Sequence, residues 1–190
     1  MQQIDWIETI PAFDSYNRQY LAGIDFTSEL FDARGFNNIG DYQFLSDASL
    51  KTDLPDQPFQ AAAYQASDGS VVISYRGTDQ IPGDIPSWLQ GAGTINEAFT
   101  QAAQAEEYFR KVITYVNGGS TISSPVDTAL FDANVTFVGH SLGGGLAGYM
   151  AALYGKEAYI FDQMPFQLSA AVRMLSMFAG ATEEQPSTLA

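Results

Sequence analysis

The stretch NVTFVGHSLGGGLAGYMAALYG, residues 134–155, changes texture at Ser141. Val135 to Val138 are β-branched and aromatic, as in a buried strand. From Leu142 onward the residues are small and apolar, as in a closely packed helix. Gly139 and Gly143 flank the serine two positions to either side. A strand that turns directly into a helix bends so tightly that side chains at those two positions would collide, and glycine removes the clash. Gly-x-Ser-x-Gly in this setting is a nucleophile elbow, so Ser141 is the candidate nucleophile. With 17 glycines in the chain the pattern alone carries little, and the strand–turn–helix context carries the weight. Gly144, Gly145, Ala147, Gly148, Ala151 and Ala152 leave the helix almost bare. It can therefore lie close on a sheet and aim its positive end at charge developing near Ser141. Glycines in a first turn cost about 1 kcal/mol each relative to alanine, which a purely structural helix has no reason to bear. A phosphate-binding loop is excluded, because its Lys-Ser/Thr is missing.

Working outward, EAYIFD reads as the next strand and PFQLSAAVRMLSMFA as a further helix. Upstream, FQAAAYQA and SVVISYR flank Asp68-Gly69, a strong hairpin signal. TINEAFTQAAQAEEYFRKVITYVNGG reads as a helix, with Thr94 and Glu97 as a capping box and Gly118-Gly119 as the stop. Its apolar face carries Ile95, Ala98, Phe99, Ala102, Phe109, Val112, Ile113 and Val116, and Glu106 and Arg110 are spaced to pair on the solvent side. A loop with Pro125 follows. Strands alternating with helices predict βαβ units: an α/β fold with a mostly parallel sheet flanked by helices. Residues 1–55 read as a helical and irregular segment packing on the sheet, 56–180 as the core, and 181–190 as a flexible tail.

The 190 residues suit one domain, and 46% hydrophobic content supplies a core. A net charge of −14 argues against nucleic acid and against docking on an anionic membrane, leaving neutral or zwitterionic lipid surfaces open. There is no cysteine, so disulfides and thiol chemistry are excluded. No signal-peptide pattern opens the sequence and no run reaches transmembrane length, which predicts either a cytoplasmic protein or one exported without a cleaved leader. Nothing in the residues reads out an oligomeric state.

The block VTFVGHSLGGGLAGYMAALYG, preceded by VVISYRGTD, resembles the class 3 lipase-like branch of the α/β-hydrolases, over roughly residues 59–166. Those enzymes share a Gly-His-Ser-Leu-Gly-Gly elbow and an upstream strand ending in Arg-Gly-Thr/Ser. The resemblance implies hydrolysis of a carboxylic ester, of acyl-lipid type, through an acyl intermediate on Ser141. The backbone N–H groups of Leu142 and Thr78 would form the oxyanion hole, the Thr78 hydroxyl being a possible third donor. No metal or organic cofactor is implied. The segment DQIPGDIPSWLQG, with Ile81, Ile85, Trp88 and Leu89, falls where these lipases carry a lid, and a loop packed permanently on the core fits it equally.

The base is the difficulty. His140 is the single histidine, and on a sharp bend neighbouring side chains diverge, so it reads as a packed histidine and not the base. In this fold the order is serine, acid, histidine. Asp162, closing the next strand, is the one well-placed carboxylate. FDQMPF nevertheless resembles the family's strand-end segment more than its acid, so Asp162 is a second-choice acid; Glu183 and Glu184 fit worse. Three readings compete: an incomplete hydrolase whose acid and histidine lie beyond residue 190, a catalytically inactive lipase-like binding or interaction domain, or an atypical base. The first is preferred, because both motif blocks are intact. A thioesterase or peptidase on the same elbow also stays open. The stretch further resembles lipase-like domains of large exported bacterial proteins with calcium-binding glycine-rich repeats, although no such repeat is present and no calcium is assigned.

Overall fold

The structure, a computed structural model of the chain, describes residues 38–39, 41–50, 52, 59–77, 95–163, 170–171 and 173–177; for 38–39 and 95–100 it describes the backbone alone. Among these residues six strands form one sheet in chain order: β1 (Asn38–Ile39), β2 (Tyr42–Phe44), β3 (Ala61–Ala66), β4 (Val71–Tyr75), β5 (Val135–His140) and β6 (Glu157–Phe161). The helices are α1 (Ile95–Val116), α2 (Thr128–Asp132) and α3 (Leu142–Tyr154), with further helical residues at 170–171 and 173–177.

The α/β expectation holds, with a sheet of mixed sense. β4, β5 and β6 are parallel, whereas β1 to β4 run antiparallel. The reason is the length of the connections. The Asp68-Gly69 turn is too short for anything but a hairpin, while parallel neighbours need a helical crossover. Gly69 takes φ +86°, and the Asp68 carboxylate accepts from the Ser70 amide at 2.9 Å and hydroxyl at 2.6 Å. Those bonds hold the Asp68 carboxyl below its usual range. β1 and β2 were not expected, because they lie inside the segment read as helical and irregular. The Gly40-Asp41 pair between them was their sequence signal.

The described helices pack on one face of the sheet. Ala63, Ile73, Tyr75, Val135 and Phe137 meet Ala105, Phe109, Val112 and Ile113 of α1 and Leu146, Met150 and Leu153 of α3 there. Phe137 stacks on Tyr75 at 6.0 Å, and Phe109 sets its edge to Phe137 at 5.2 Å and to Tyr154 at 5.0 Å. The Tyr75 hydroxyl donates to the Ala105 carbonyl at 3.3 Å, binding the end of β4 to α1. On the far face Ala62, Tyr64, Val72 and Val138 are also buried. The Thr94 cap and residues 1–37 of the segment read as helical and irregular lie outside the described residues.

The predicted α1 face is found where side chains are described: Phe109, Val112 and Ile113 are buried and Val116 is partly so. Gly118 and Gly119 end the helix at φ +77° and +89°. Glu106 corrects the sequence reading, for it is buried and does not pair with Arg110 on the solvent side. Its carboxylate accepts from both Arg173 Nε at 3.0 Å and Nη2 at 2.8 Å, and from the Tyr149 hydroxyl at 2.7 Å. The solvent-side pair is one position on, Glu107 with Lys111 at 2.8 Å. The short α2 stands where the sequence reads as loop. Asp127 caps it, accepting from the Ala129 amide at 2.9 Å, and Lys156 donates to the Phe131 and Ala133 carbonyls at its other end. Burial lowers the pKa of Lys156, with Asp132 opposing that shift.

The Glu106 carboxylate is 4% exposed and Arg173 33%, so removing this charge costs part of what a fully buried pair would lose. Glu106→Gln is expected to lower unfolding free energy by about 2 kcal/mol, and Glu107→Gln by less than about 0.5 kcal/mol. Urea midpoints of the two variants check this; equal shifts would refute it.

Candidate active site

The site lies at the C-terminal ends of the parallel strands β4, β5 and β6. β5 ends at His140 and α3 begins at Leu142, leaving Ser141 alone to reverse the chain. Its backbone sits at φ 55°, ψ −122°, outside the conformations a residue with a Cβ ordinarily adopts. A serine preceding a helix normally turns its hydroxyl back to cap an amide of the first turn. Ser141 makes no such bond, so its hydroxyl is not consumed by the helix. The residue is half-buried.

The flanking glycines are required by distance. A Cβ on Gly139 would lie 2.2 Å from the Gly143 carbonyl oxygen, and one on Gly143 would lie 2.0 Å from the Tyr75 oxygen and 2.8 Å from the Arg76 carbonyl carbon. Gly144 is tight as well: its Cβ would meet the Gly139 oxygen at 3.1 Å, the Phe161 oxygen at 3.2 Å and Gln163 Cα at 3.4 Å. The first turn of α3 is therefore wedged between the ends of β4 and β6. Backbone bonds fix it there: the Ser141 amide donates to the Phe161 carbonyl at 2.9 Å, and the Gly145 amide to the Ser141 carbonyl at 3.1 Å. With Gly145 opening the intrahelical series, the amides of Leu142, Gly143 and Gly144 are the ones whose partners lie outside the helix. They carry the positive end of its dipole.

Leu142, expected as an oxyanion donor, opens α3 directly after the serine. Thr78 lies outside the described residues, as do the proposed lid at 80–93 and Glu183 and Glu184. The residues leading to Thr78 are described. Arg76 is buried, its amide donates to the Gln60 carbonyl at 3.0 Å, and Gly77 is buried beside it. The peptide at 75–76 is the one on which Gly143 presses. The two motif blocks, 64 positions apart from Gly77 to Ser141 (141 minus 77), thus meet in space.

His140 is half-buried. Strand alternation puts it on the face of Val138, away from the face of Phe137, and in register beside Phe161. Asp162 follows Phe161 immediately. It is exposed and, with Ser141, is one of two non-glycine residues at positive φ among those described, at 46°. No residue type signals that Phe161 binds the elbow through its carbonyl, because a backbone acceptor leaves no trace in the side chain.

A family model described as phospholipase-like, the Tle-like phospholipase domain, matches residues 31–164. That is 134 of the 190 residues (164 minus 30), and it spans the whole described sheet and the elbow. Comparison with curated proteins finds no match.

Two substitutions test the geometry. Gly143→Ala drives a methyl into a backbone carbonyl that cannot swing aside, and a loss of at least about 3 kcal/mol in urea unfolding is expected. A variant as stable as the parent would disprove the wedge. Ser141→Gly is expected to be more stable than Ser141→Ala by about 1 kcal/mol, since relief of the strained φ outweighs the entropy glycine adds to the unfolded chain. Thermal melts of the two variants decide it, and the reverse order would contradict the strain.

Proposed function

The chain belongs to the phospholipase-like family of the Tle-like phospholipase domain, and from that premise we propose that it hydrolyses a carboxylic ester of a lipid through an acyl-enzyme on Ser141. The observation that carries the serine is its backbone: a strained, non-capping residue between strand and helix, with its neighbours reduced to glycine. Strain of this kind costs about 1–3 kcal/mol and persists where a fixed side-chain position is worth more than stability.

In the proposed reaction Ser141 Oγ attacks the ester carbonyl carbon while a general base takes its proton. The carbonyl oxygen becomes the oxyanion, held by the amides of Leu142 and Thr78, with the Thr78 hydroxyl alongside. The approach of Gly143 to the peptide at 75–76 supports this pair of donors, because it brings the two segments together. Collapse of the intermediate breaks the bond to the alcohol oxygen, which leaves with the proton from the base. Water then attacks the acyl carbon, giving up its proton to the same base, and Ser141 is restored as the free fatty acid departs. His140 is not assigned as that base, because its place on the far face of β5 turns it from the helix side of the elbow. The class 3 lipase-like motifs at 76–78 and 139–144 favour this mechanism over a metal-assisted one.

A fluorophosphonate probe is expected to label Ser141 in the full-length protein, located by peptide mass. Ser141→Ala should abolish labelling and reduce release of fatty acid from phospholipid vesicles at least about a thousand-fold. Retained turnover in that variant would rule out the acyl-enzyme; absence of labelling and turnover in the parent would favour a lipid-binding domain without catalysis.

A further inference from the structure

Two turns, not one, stand over the site end of the sheet. The register pairs His140 with Phe161, and the Ser141 amide is bonded to the Phe161 carbonyl. The residue after Phe161 is therefore held beside the elbow, about 5 Å away at the backbone, the spacing of neighbouring strands. That residue is Asp162, and its side chain is exposed. The other charged or ionisable groups described at these strand ends are the buried Tyr75 and Arg76 and the half-buried His140. α3 brings no acidic residue in its first turn. Among the described residues, a molecule approaching Ser141 thus meets the negative charge of Asp162 as the exposed charge of this end.

We propose that Asp162 selects the head group: it favours lipids carrying an ammonium near the scissile ester, such as choline and ethanolamine phospholipids, over lipids with a net anionic head group. The inference rests on the ester-hydrolase reading above and narrows its substrate class. A carboxylate this close to the oxyanion opposes the chemical step by repulsion. A neighbouring cation offsets that opposition in substrates that carry one, and an anion compounds it. The preference is on the scale of roughly five-fold per charge, that of unit charges about 8 Å apart at a partly hydrated surface, and it weakens with salt. Exposure sets Asp162 apart from a triad acid, which is buried against its histidine.

The test uses three alkyl fluorophosphonates of matched length: neutral, bearing a quaternary ammonium, and bearing a carboxylate. Second-order labelling rates at Ser141 are measured at low and high salt in the full-length protein and in Asp162→Asn. Asparagine tolerates positive φ, so this variant keeps the turn. The expected result is that the parent prefers the cationic over the anionic probe at low salt, and that Asp162→Asn reduces this ratio at least about five-fold. The neutral probe reports the separate effect on the oxyanion. An unchanged ratio overturns the inference and leaves the hydrolase reading intact. Loss of labelling by all three probes in a variant with an unaltered thermal melt overturns it too, and makes Asp162 part of the machinery that activates the serine. No labelling of the parent by any probe defeats the hydrolase reading and this inference with it.

Discussion

A helix start is pressed against a strand end with no room for a methyl group between them, and the geometry of the candidate site follows from that contact. Gly143 lies on the peptide at 75–76 so closely that a Cβ would overlap a carbonyl oxygen. The approach sets where α3 begins relative to β4, and β5 must then pass into α3 through a single residue. Ser141 takes φ 55° because no gentler path joins the two elements in that distance. The cost is real: about 1–3 kcal/mol for the strained residue and about 1 kcal/mol for each glycine placed in the helix. Propensity therefore does not hold α3 in place. Burial of Leu146, Met150 and Leu153, worth about 2 kcal/mol each, offsets those costs. The helix exists because the core requires it.

The same face of the sheet carries a polar tie that steadies α3 farther along. Tyr149 donates to Glu106, which also holds Arg173 through two bonds, so α1, α3 and the helical residues near 173 share one carboxylate. Burial, with Glu106 nearby, raises the pKa of Tyr149 well above the phenol range, and Tyr154 is pushed up to about 12 for the same reasons. The Tyr149 hydroxyl consequently stays protonated and serves as a fixed donor to Glu106. A carboxylate with three donors on it is more rigid than an apolar contact of equal area, because each bond also fixes direction. The elbow is held at its base by glycine contacts and along its helix by this cluster.

The elbow was legible in residue type because its constraint is steric: where no Cβ fits, only glycine can appear, and Gly139 and Gly143 advertise the contact. The hairpin was legible for a similar reason, Gly69 taking a φ that other residues avoid. Glu106 was not. Charge at helical spacing reads as a solvated pair, and whether Glu106 or Glu107 faces water is a difference of one position, about 100° around the helix, settled by a partner 67 residues away. α2 was hidden because its five residues depend on Asp127 at one end and Lys156, far along the chain, at the other. The place of Asp162 beside Ser141 was hidden as well, since it follows from a backbone bond to Phe161 that no side chain signals.

The proposed reaction forms an oxyanion on a protein with a charge of −14, and distance reconciles the two. A carboxylate about 15 Å away across hydrated surface repels a unit charge by a few tenths of a kcal/mol, and salt reduces that further within a Debye length of about 8 Å. An amide aimed at the oxyanion from about 3 Å contributes roughly 3 kcal/mol to the transition state. Two such donors outweigh the diffuse charge of the whole surface, so net charge leaves the chemistry almost untouched. Its long-range action falls on encounter instead, where like charges repel. Within the site the balance changes, because a charge one strand spacing from the serine is not diluted by distance. If the proposed reaction holds, one carboxylate on the turn beside Ser141 therefore weighs more on the choice of lipid than the many spread over the remaining surface.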